Sequence, residues 1–315
     1  MIPKGDNLSS RKPIVVVGSI NTDLVAISDR IPAIGETVIG TGFQVHPGGK
    51  GANQAVAVAR LGYPVHLIGR LGRDSFGDQL RTHMLYAGVD CAGVTTCDGP
   101  SGVALISVSS KGENSIVVVP GANAMLSPED LDANLDAIRQ AGVVLAQLEI
   151  PLETIEHLSV LCRRAGVPLI LDPAPARELT PAILKNVGWL TPNETEADFY
   201  AGTKAASPEE RSQALLAAGC GGVVLKLGAQ GAYVRQRGGH GELVSAFSVD
   251  AVDSTAAGDA FNGGFATGLM LGKSPIDAAS FAAAVAAISV TRAGAQPSMP
   301  SMAEVEEFLE TQLVQ

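Results

Sequence analysis

The feature that most restricts the fold is a series of short, largely apolar segments without polar alternation: IVVVG at 14–18, VHLIG at 65–69, VVLAQL at 143–148, PLILD at 168–172, GWLTP at 188–192 and VVLKLG at 223–228. A strand with one wet face alternates polar and apolar residues. These segments do not, so both faces are buried and the expected sheet is mostly parallel with helices on each side. Helical patterns fill the intervals, near 52–61, 76–87, 128–141, 152–165, 194–201 and 208–218. The fold class is therefore α/β, with helices layered on both sides of one sheet. A further small-residue helix is expected over 260–271. The alanine-rich run 281–290 reads as a buried helix, because a bilayer crossing needs roughly 18 to 20 apolar residues.

Two segments break the rhythm. ETVIGTGFQV at 36–45 and GVALISVSSKGENSIVVV at 102–119 read as strands and turns, the second as a hairpin with Lys111-Gly112-Glu113-Asn114 at its tip. Antiparallel strands inserted in an α/β chain suggest a small β-sheet lid over the carboxyl ends of the parallel strands, where open sheets bind ligands. The expected organisation is one domain over 1–315, with a lid formed by about 23–46 and 94–120.

Composition narrows the partners. A formal net charge of -10 argues against nucleic acid, whose nonspecific binding depends on Lys and Arg at phosphates. A few backbone N–H groups at a helix start still suffice for one small anion. Cys91, Cys97, Cys162 and Cys220 lack paired metal spacing and are too few for a disulfide framework, so reduced thiols in a cytoplasm are expected. The N-terminal MIPKGDNLSSRKP shows no export signal, and no membrane partner is expected.

The chemistry concentrates in a few polar stretches. In STAAGDAFNGG, Ala256, Ala257 and Gly258 precede a helix whose first N–H groups point outward, an anion hole open to close approach. Asp259 beside it is favoured as a carboxylate and able to take a proton, so base and anion hole together fit phosphoryl transfer to a hydroxyl; the plainer reading is a helix cap. HPGGKGANQAVAVARLG fails the phosphate-loop pattern, since Gln44 stands at its first glycine and Gly51 follows Lys50. Its glycines feed a helix bearing Lys50, Asn53 and Gln54, suited to a polyhydroxy ligand or simply to a tight turn.

Asn21, Thr22 and Asp23 follow the first strand, as sugar-hydroxyl acceptors or an Asx turn. Glu149 ends another strand. Asn193 and Glu196 share a helical face, either near Mg2+ and phosphate or as a capping pair. Two weaker stretches, Lys226-Leu227-Gly228-Ala229-Gln230-Gly231 and TRAGAQPS from Thr291 to Ser298, are candidates for shaping a nucleotide site. The five histidines are scattered, and no G-x-S-x-G turn supports a hydrolase.

In this order the stretches resemble the ribokinase family of carbohydrate kinases. The resemblance runs from about 14 to 308 and is carried by GSINTDL, GETVIGTGFQVHPGGKGANQAVAVARLG, QLEIPLET, DPAPARELT, TPNETEA, KLGAQGAYV, AVDSTAAGDAFNGGF and SVTRAGAQPS. It implies an α/β/α domain with a β-sheet lid serving as a dimer clasp, and transfer of the ATP γ-phosphoryl group to a primary sugar hydroxyl. D-ribose at its 5-hydroxyl is the first expectation. Deoxyribose, fructose, 2-keto-3-deoxygluconate or a nucleoside are alternatives, and a catalytically silent sugar sensor, against which Asp259 argues, is the reading from another class.

Carried over by position, Asp259 resembles the catalytic base and Ala256, Ala257 and Gly258 the anion hole. Asn21, Thr22, Asp23, Gly49, Lys50, Gly51, Ala52, Asn53 and Glu149 match sugar-binding positions. Asn193, Lys226 to Gly231, Gly258, Asp259 and Ala283 match nucleotide positions, and Glu196 matches an acidic position associated with Mg2+ through water. Asp253, Thr255, Ser289, Arg292, Gly294 and Ser298 match a monovalent-cation site, implying K+ activation. Lys226, Asp172, Ala283 and Ser254 depart from the usual residues, while the Asp259 loop is intact.

Overall fold

The first strand, β1 (Ile14–Val17), sends Ile14 and Val16 into one hydrophobic core and Val15 and Val17 into another. That two-sided burial explains why its sequence carries no polar alternation. The computed structural model describes residues 11–202 and 207–312; positions 1–10, part of the segment read as showing no export signal, lie outside the described residues.

The strands that follow are β2 (Asn21–Ser28), β3 (Gly40–Gly48), β4 (Val65–Gly72), β5 (Asp90–Cys97), β6 (Gly102–Ser109), β7 (Asn114–Val119), β8 (Val143–Gln147), β9 (Leu169–Asp172), β10 (Trp189–Leu190), β11 (Gly222–Lys226), β12 (Ala232–Gln236) and β13 (Gly241–Val244). The helices are α1 (Lys50–Arg60), α2 (Ser75–Tyr86), α3 (Pro128–Ala133), α4 (Leu135–Gln140), α5 (Leu152–Ala165), α6 (Pro181–Leu184), α7 (Glu194–Ala201), α8 (Pro208–Ala218), α9 (Ala257–Met270), α10 (Pro275–Val290) and α11 (Met302–Gln312).

Nine strands form the main sheet in the order β13-β12-β11-β10-β9-β8-β1-β4-β5, parallel from β11 to β5 and antiparallel at β12 and β13. One core packs α1, α9 and α10 on one face, and the other packs α5 and its neighbours on the opposite face. This is the three-layer arrangement expected from the strand pattern. The chain runs outward from β1 to β4 and β5, then returns to β8 and proceeds the other way. The strand order thus reverses between β1 and β8, which opens a crevice at their carboxyl ends.

The smaller sheet has the order β3-β2-β6-β7. It differs from the expectation in three ways. Its central β2–β6 pair is parallel, so the layer is mixed rather than antiparallel. Residues Val94 to Cys97 pair with β4 and belong to the main sheet, not to the small one. Asn21 to Asp23 form the start of β2, not a turn, because pairing with both β3 and β6 outweighs their local turn preference. The helix expected over 128–141 is also broken in two, at Asn134, whose amide bonds to the Asp130 carbonyl.

Candidate active site

The site forms where α1, α9 and the ends of β1 and β8 converge. Gly49, at φ 87°, caps α1 in a left-handed conformation, and a Cβ there would lie 2.6 Å from the Asn21 nitrogen. A Cβ on Gly51 would lie 2.6 Å from the Gly18 carbonyl carbon. These glycines let the start of α1 press onto the β1–β2 corner. Helix α9 comes equally close: a Cβ on Gly263 would lie 2.6 Å from that of Ala57 in α1, and one on Gly268 2.9 Å from the Ala278 Cα in α10. Glycine inside a helix costs roughly 0.5–1 kcal/mol relative to alanine. Here it brings the first turns of two helices within hydrogen-bond reach.

The contact made there is at Asp259, which is buried. Its Oδ2 accepts a hydrogen bond from Asn53 Nδ2 and its Oδ1 one from Gln54 Nε2, both at 3.0 Å. Gln296 Nε2 in turn donates to Asn53 Oδ1 at 3.0 Å, and Gln147 Nε2 donates to Gln54 Oε1 at 2.7 Å. Two lines of side-chain amides therefore fix both oxygens of the carboxylate. Burial pushes the Asp259 carboxyl above its ordinary range, Lys50 opposes the rise, Asp172 adds to it, and the two amides oppose it again. Asn53, expected as a sugar contact, has its amide group occupied on both sides as a holder of Asp259.

At the start of α9, Ala256 adopts φ 59°, the only positive φ outside glycine among the described residues. Such a backbone is strained for a residue with a Cβ, and strain of this kind gathers at functional turns. The Ala257 N–H turns back to the Ser254 carbonyl at 3.2 Å. The amides of Gly258 and Asp259 have no protein acceptor among the described residues, so they, rather than that of Ala257, are free for an anion.

On the crevice side, Asn21 and Asp23 share one face of β2, two residues apart. Asn21 Oδ1 is fixed by Asn123 Nδ2 at 2.7 Å, and Asn123 Oδ1 also accepts from the Ile20 N–H at 2.9 Å. Glu149 Oε2 accepts from Ser19 Oγ at 2.5 Å and from the Lys50 N–H at 3.3 Å, tying β8 to the corner and to the start of α1. The Asp23 carboxylate accepts no hydrogen bond from the protein among the described residues. Burial, helped by the negative Glu149 and Asp259, pushes it up to about 7. Burial alone would lower Lys50, but Asp259, Asp172, Glu149 and Glu196 together hold its ammonium firmly charged. Thr22 and Ala52, expected as sugar contacts, are both buried.

A cleft of about 510 Å³ opens on the other side of the α9 start. Lys226, Gly228, Ala229, Gly231, Gly258 and Ala283 line it, as expected, but Leu227 is packed in the core, and Asn193, Gln230 and Asp259 are not among its walls. The sequence reading missed Phe247, Phe261, Ala286, Ala287 and Val290. The signal was present: positions 283, 286, 287 and 290 follow the i, i+3, i+4, i+7 spacing of one helical face.

Asn193 and Glu196 form a capping box: Glu196 Oε2 accepts from the Asn193 N–H at 2.8 Å and Oε1 from Asn193 Nδ2 at 3.0 Å. Asn193 also bridges to the Lys226 backbone. With both Glu196 oxygens engaged in the cap, this carboxylate suits contact with a hydrated Mg2+ through water rather than direct ligation. Asp253 joins the two loops of the candidate K+ site: its Oδ1 accepts from the Thr255 N–H at 2.9 Å and its Oδ2 from the Gly294 N–H at 2.8 Å. The Ser289 and Ser298 hydroxyls donate to local carbonyls, and Arg292 pairs with Glu304 at 2.6 Å. The carbonyl, hydroxyl and carboxylate oxygens at these positions are hard donors, the kind an alkali cation takes. Arg292 contributes through its backbone if at all, because its guanidinium is held away by Glu304.

Residues 11–302 match the pfkB family carbohydrate kinase. The chain is 41% identical over 304 residues to a ribokinase of Haemophilus influenzae, covering 95% of this chain and 99% of the relative. It is 43% identical over 300 residues to a ribokinase of Bacillus subtilis, covering 94% and 99%. Its fold superposes on the structure of an Arabidopsis thaliana ribokinase complexed with ribose and ATP, at a TM-score of 0.88 and 36% identity, covering 95% of this chain and 99% of that one.

Proposed function

The chain belongs to the pfkB family of carbohydrate kinases, and on that premise we propose that it transfers the γ-phosphoryl group of ATP to the 5-hydroxyl of D-ribose. The observation that carries the reading is Asp259: buried, with both oxygens oriented by Asn53 and Gln54, and its own amide part of an open anion hole. The sugar lies in the crevice, where Asp23 and Glu149 present acceptors to its hydroxyls and Asn21, its oxygen held by Asn123, presents its amide N–H. ATP lies in the cleft with its base against the alanine face of α10 and its phosphates at the Gly258 and Asp259 amides.

In the reaction the ribose 5-oxygen forms the new P–O bond as its proton passes to Asp259. The bond from the γ-phosphorus to the β–γ bridging oxygen breaks, and its electron pair leaves with ADP. Most of the rate in such a transfer comes from in-line positioning and stabilised charge. Glu196 would face a hydrated Mg2+, which would supply charge neutralisation at the phosphates. Asp253 ties the 255 and 294 loops together, and a K+ held there would stiffen the turn that aims the anion-hole amides. The ribokinase names of the full-length relatives support ribose over other acceptors. Arg177, the cation available for an acid sugar, instead donates to the Leu148 and Ile150 carbonyls at 3.0 and 3.1 Å.

Two further parts of the reading concern assembly and location. Phe43, Val45, Leu105, Ile116, Val117, Val118 and Val119 leave apolar side chains exposed on the small sheet, which suits a homodimer clasped through it. Four free cysteines suit the cytoplasm, and no helix among the described residues is long and apolar enough to cross a membrane.

The test is Asp259→Asn. A positioned base contributes about 10²–10⁴-fold, so turnover falls by at least that factor while ribose affinity, measured by calorimetry, stays near normal. Unchanged turnover removes the base assignment.

A further inference from the structure

Lys226 ends β11 and Asp172 ends β9, and these strands are separated in the sheet by β10, which is only two residues long. Across the space above that short strand Lys226 Nζ meets Asp172 Oδ1 at 3.0 Å, with side-chain exposures of 14% and 2%. Asp172 uses its other oxygen, Oδ2, to accept from Gln54 Nε2 at 3.2 Å, and the same amide nitrogen donates to Asp259 Oδ1 at 3.0 Å. The connection runs without interruption from ammonium to carboxylate to amide to base. Its far end returns to the reaction centre, since a Cβ placed on Gly258 would lie 3.4 Å from Lys226 Nζ. Lys226 also lines the cleft. An ion pair serving only stability has no need of a cation beside free anion-hole amides, and buried pairs of this kind are weak stabilisers once desolvation is counted.

Building on the phosphoryl-transfer reading, we propose that Lys226 is a catalytic residue that neutralises charge on the transferring phosphoryl group, and that Asp172 and Gln54 are positioning residues that hold it in register with Asp259. The Lys226 ammonium keeps free N–H donors after the bond to Asp172, because it has three. Asp172 restrains a long, flexible side chain that would otherwise sample many rotamers. Gln54, donating to both carboxylates, sets the spacing between the group that removes the proton and the group that meets the phosphate. The negative charge of Asp172 also raises Asp259, which displaces the pH profile and leaves the plateau kcat to Lys226.

The experiment measures kcat, KM for ATP and for ribose, and the pH profile of kcat/KM in Lys226→Met, Asp172→Asn and the double variant, with Asp259→Asn alongside. Loss of one preorganised group facing developing charge lowers kcat by about 10²–10³-fold, so Lys226→Met falls by that factor while KM for ribose stays within about threefold. Asp172→Asn loses about tenfold in kcat when Lys226 is present and nothing further when it is absent, because it acts through Lys226. It also moves the acid limb of the profile to lower pH, a shift that a purely structural residue does not cause.

A Lys226→Met variant that raises only KM for ATP, or an Asp172→Asn loss of equal size in both backgrounds, overturns the proposal. Should Lys226→Met leave Asp172 unpaired and fail to fold, the double variant, which buries no lone charge, carries the test: a kcat near that of the unmodified protein overturns the proposal. If Asp259→Asn abolishes turnover while Lys226→Met leaves it near that of the unmodified protein, only this inference fails; if the unmodified protein phosphorylates no sugar, the underlying reading fails.

Discussion

The two sides of Asp259 are built from different materials. Toward the crevice, Asn21, Asp23, Lys50 and Glu149 gather charge and hydrogen-bonding capacity, each held by partners such as Ser19 and Asn123 or left open for a ligand. Toward the cleft, Phe247, Phe261, Ala283 and Ala287 offer contour and little polarity, and the polar work falls to Lys226 and backbone amides. Recognition by hydrogen bonds punishes a missing partner severely, because a buried polar group is left unpaired. Recognition by shape is more forgiving. The contrast predicts that the acceptor is chosen strictly and the nucleotide loosely.

The largest effect that sharpens the contrast lies on the polar side. A hydrogen bond to a charged group contributes about 1.5–3 kcal/mol, and about 1.4 kcal/mol is tenfold, so Asp23→Ala or Glu149→Ala loses about 10–100-fold in kcat/KM for the sugar. Steady-state kinetics with saturating ATP checks this; a loss below threefold breaks the comparison. On the apolar side, Ala283→Leu fills part of the base slot. About tenfold in KM for ATP is expected, since overpacking costs about 1–3 kcal/mol, with kcat and sugar KM unchanged. An equal loss in sugar KM means that the two sides are not independent.

A smaller effect separates the sides by pH. Asp23 offers both oxygens as acceptors to sugar hydroxyls only as a carboxylate, and burial beside Glu149 and Asp259 pushes it up to about 7. Activity with limiting sugar therefore declines by about fourfold between pH 8 and pH 6.5, whereas activity with limiting ATP declines only through Asp259. The stability sign is the reverse. A carboxyl raised in the folded state binds its proton more tightly there than in the unfolded chain, so this group's contribution to stability falls as pH rises from about 4 to about 7. Asp23→Asn removes that slope in thermal unfolding and raises Tm at pH 8. The smallest effect is on the cation loop, where replacing K+ with Na+ lowers kcat by about threefold, the scale of a modest electrostatic coupling. Equal rates in the two salts remove the cation from the account.

Much of the architecture was legible because burial leaves a direct mark on sequence. The unbroken apolarity of 14–17 and 143–146 records strands with a core on each face. The Asp259 loop stood out because small residues and one carboxylate are an unusual mixture at a helix start. What stayed hidden depends on tertiary distance. Asn21 to Asp23 have the composition of a turn, and only pairing on both sides makes them a strand. Gln54, Gln147, Asn123 and Gln296 are neutral amides whose partners lie 93 to 243 positions away, so no local pattern shows what they hold. Leu227 lies within a polar glycine-rich stretch, but strand alternation turns it into the core. Lys226 and Asp172, each conspicuous alone, become a pair only because β10 is short.

The most direct test of the central claim is kcat/KM by an ADP-coupled assay with MgATP and K+ across ribose, 2-deoxyribose, fructose, 2-keto-3-deoxygluconate and adenosine. The account predicts that ribose leads by at least about tenfold over 2-deoxyribose, because Asn21, Asp23 and Glu149 are built to hold hydroxyls and a missing one leaves an acceptor unpaired. Preference for another acceptor, or no turnover with any of the five, contradicts it.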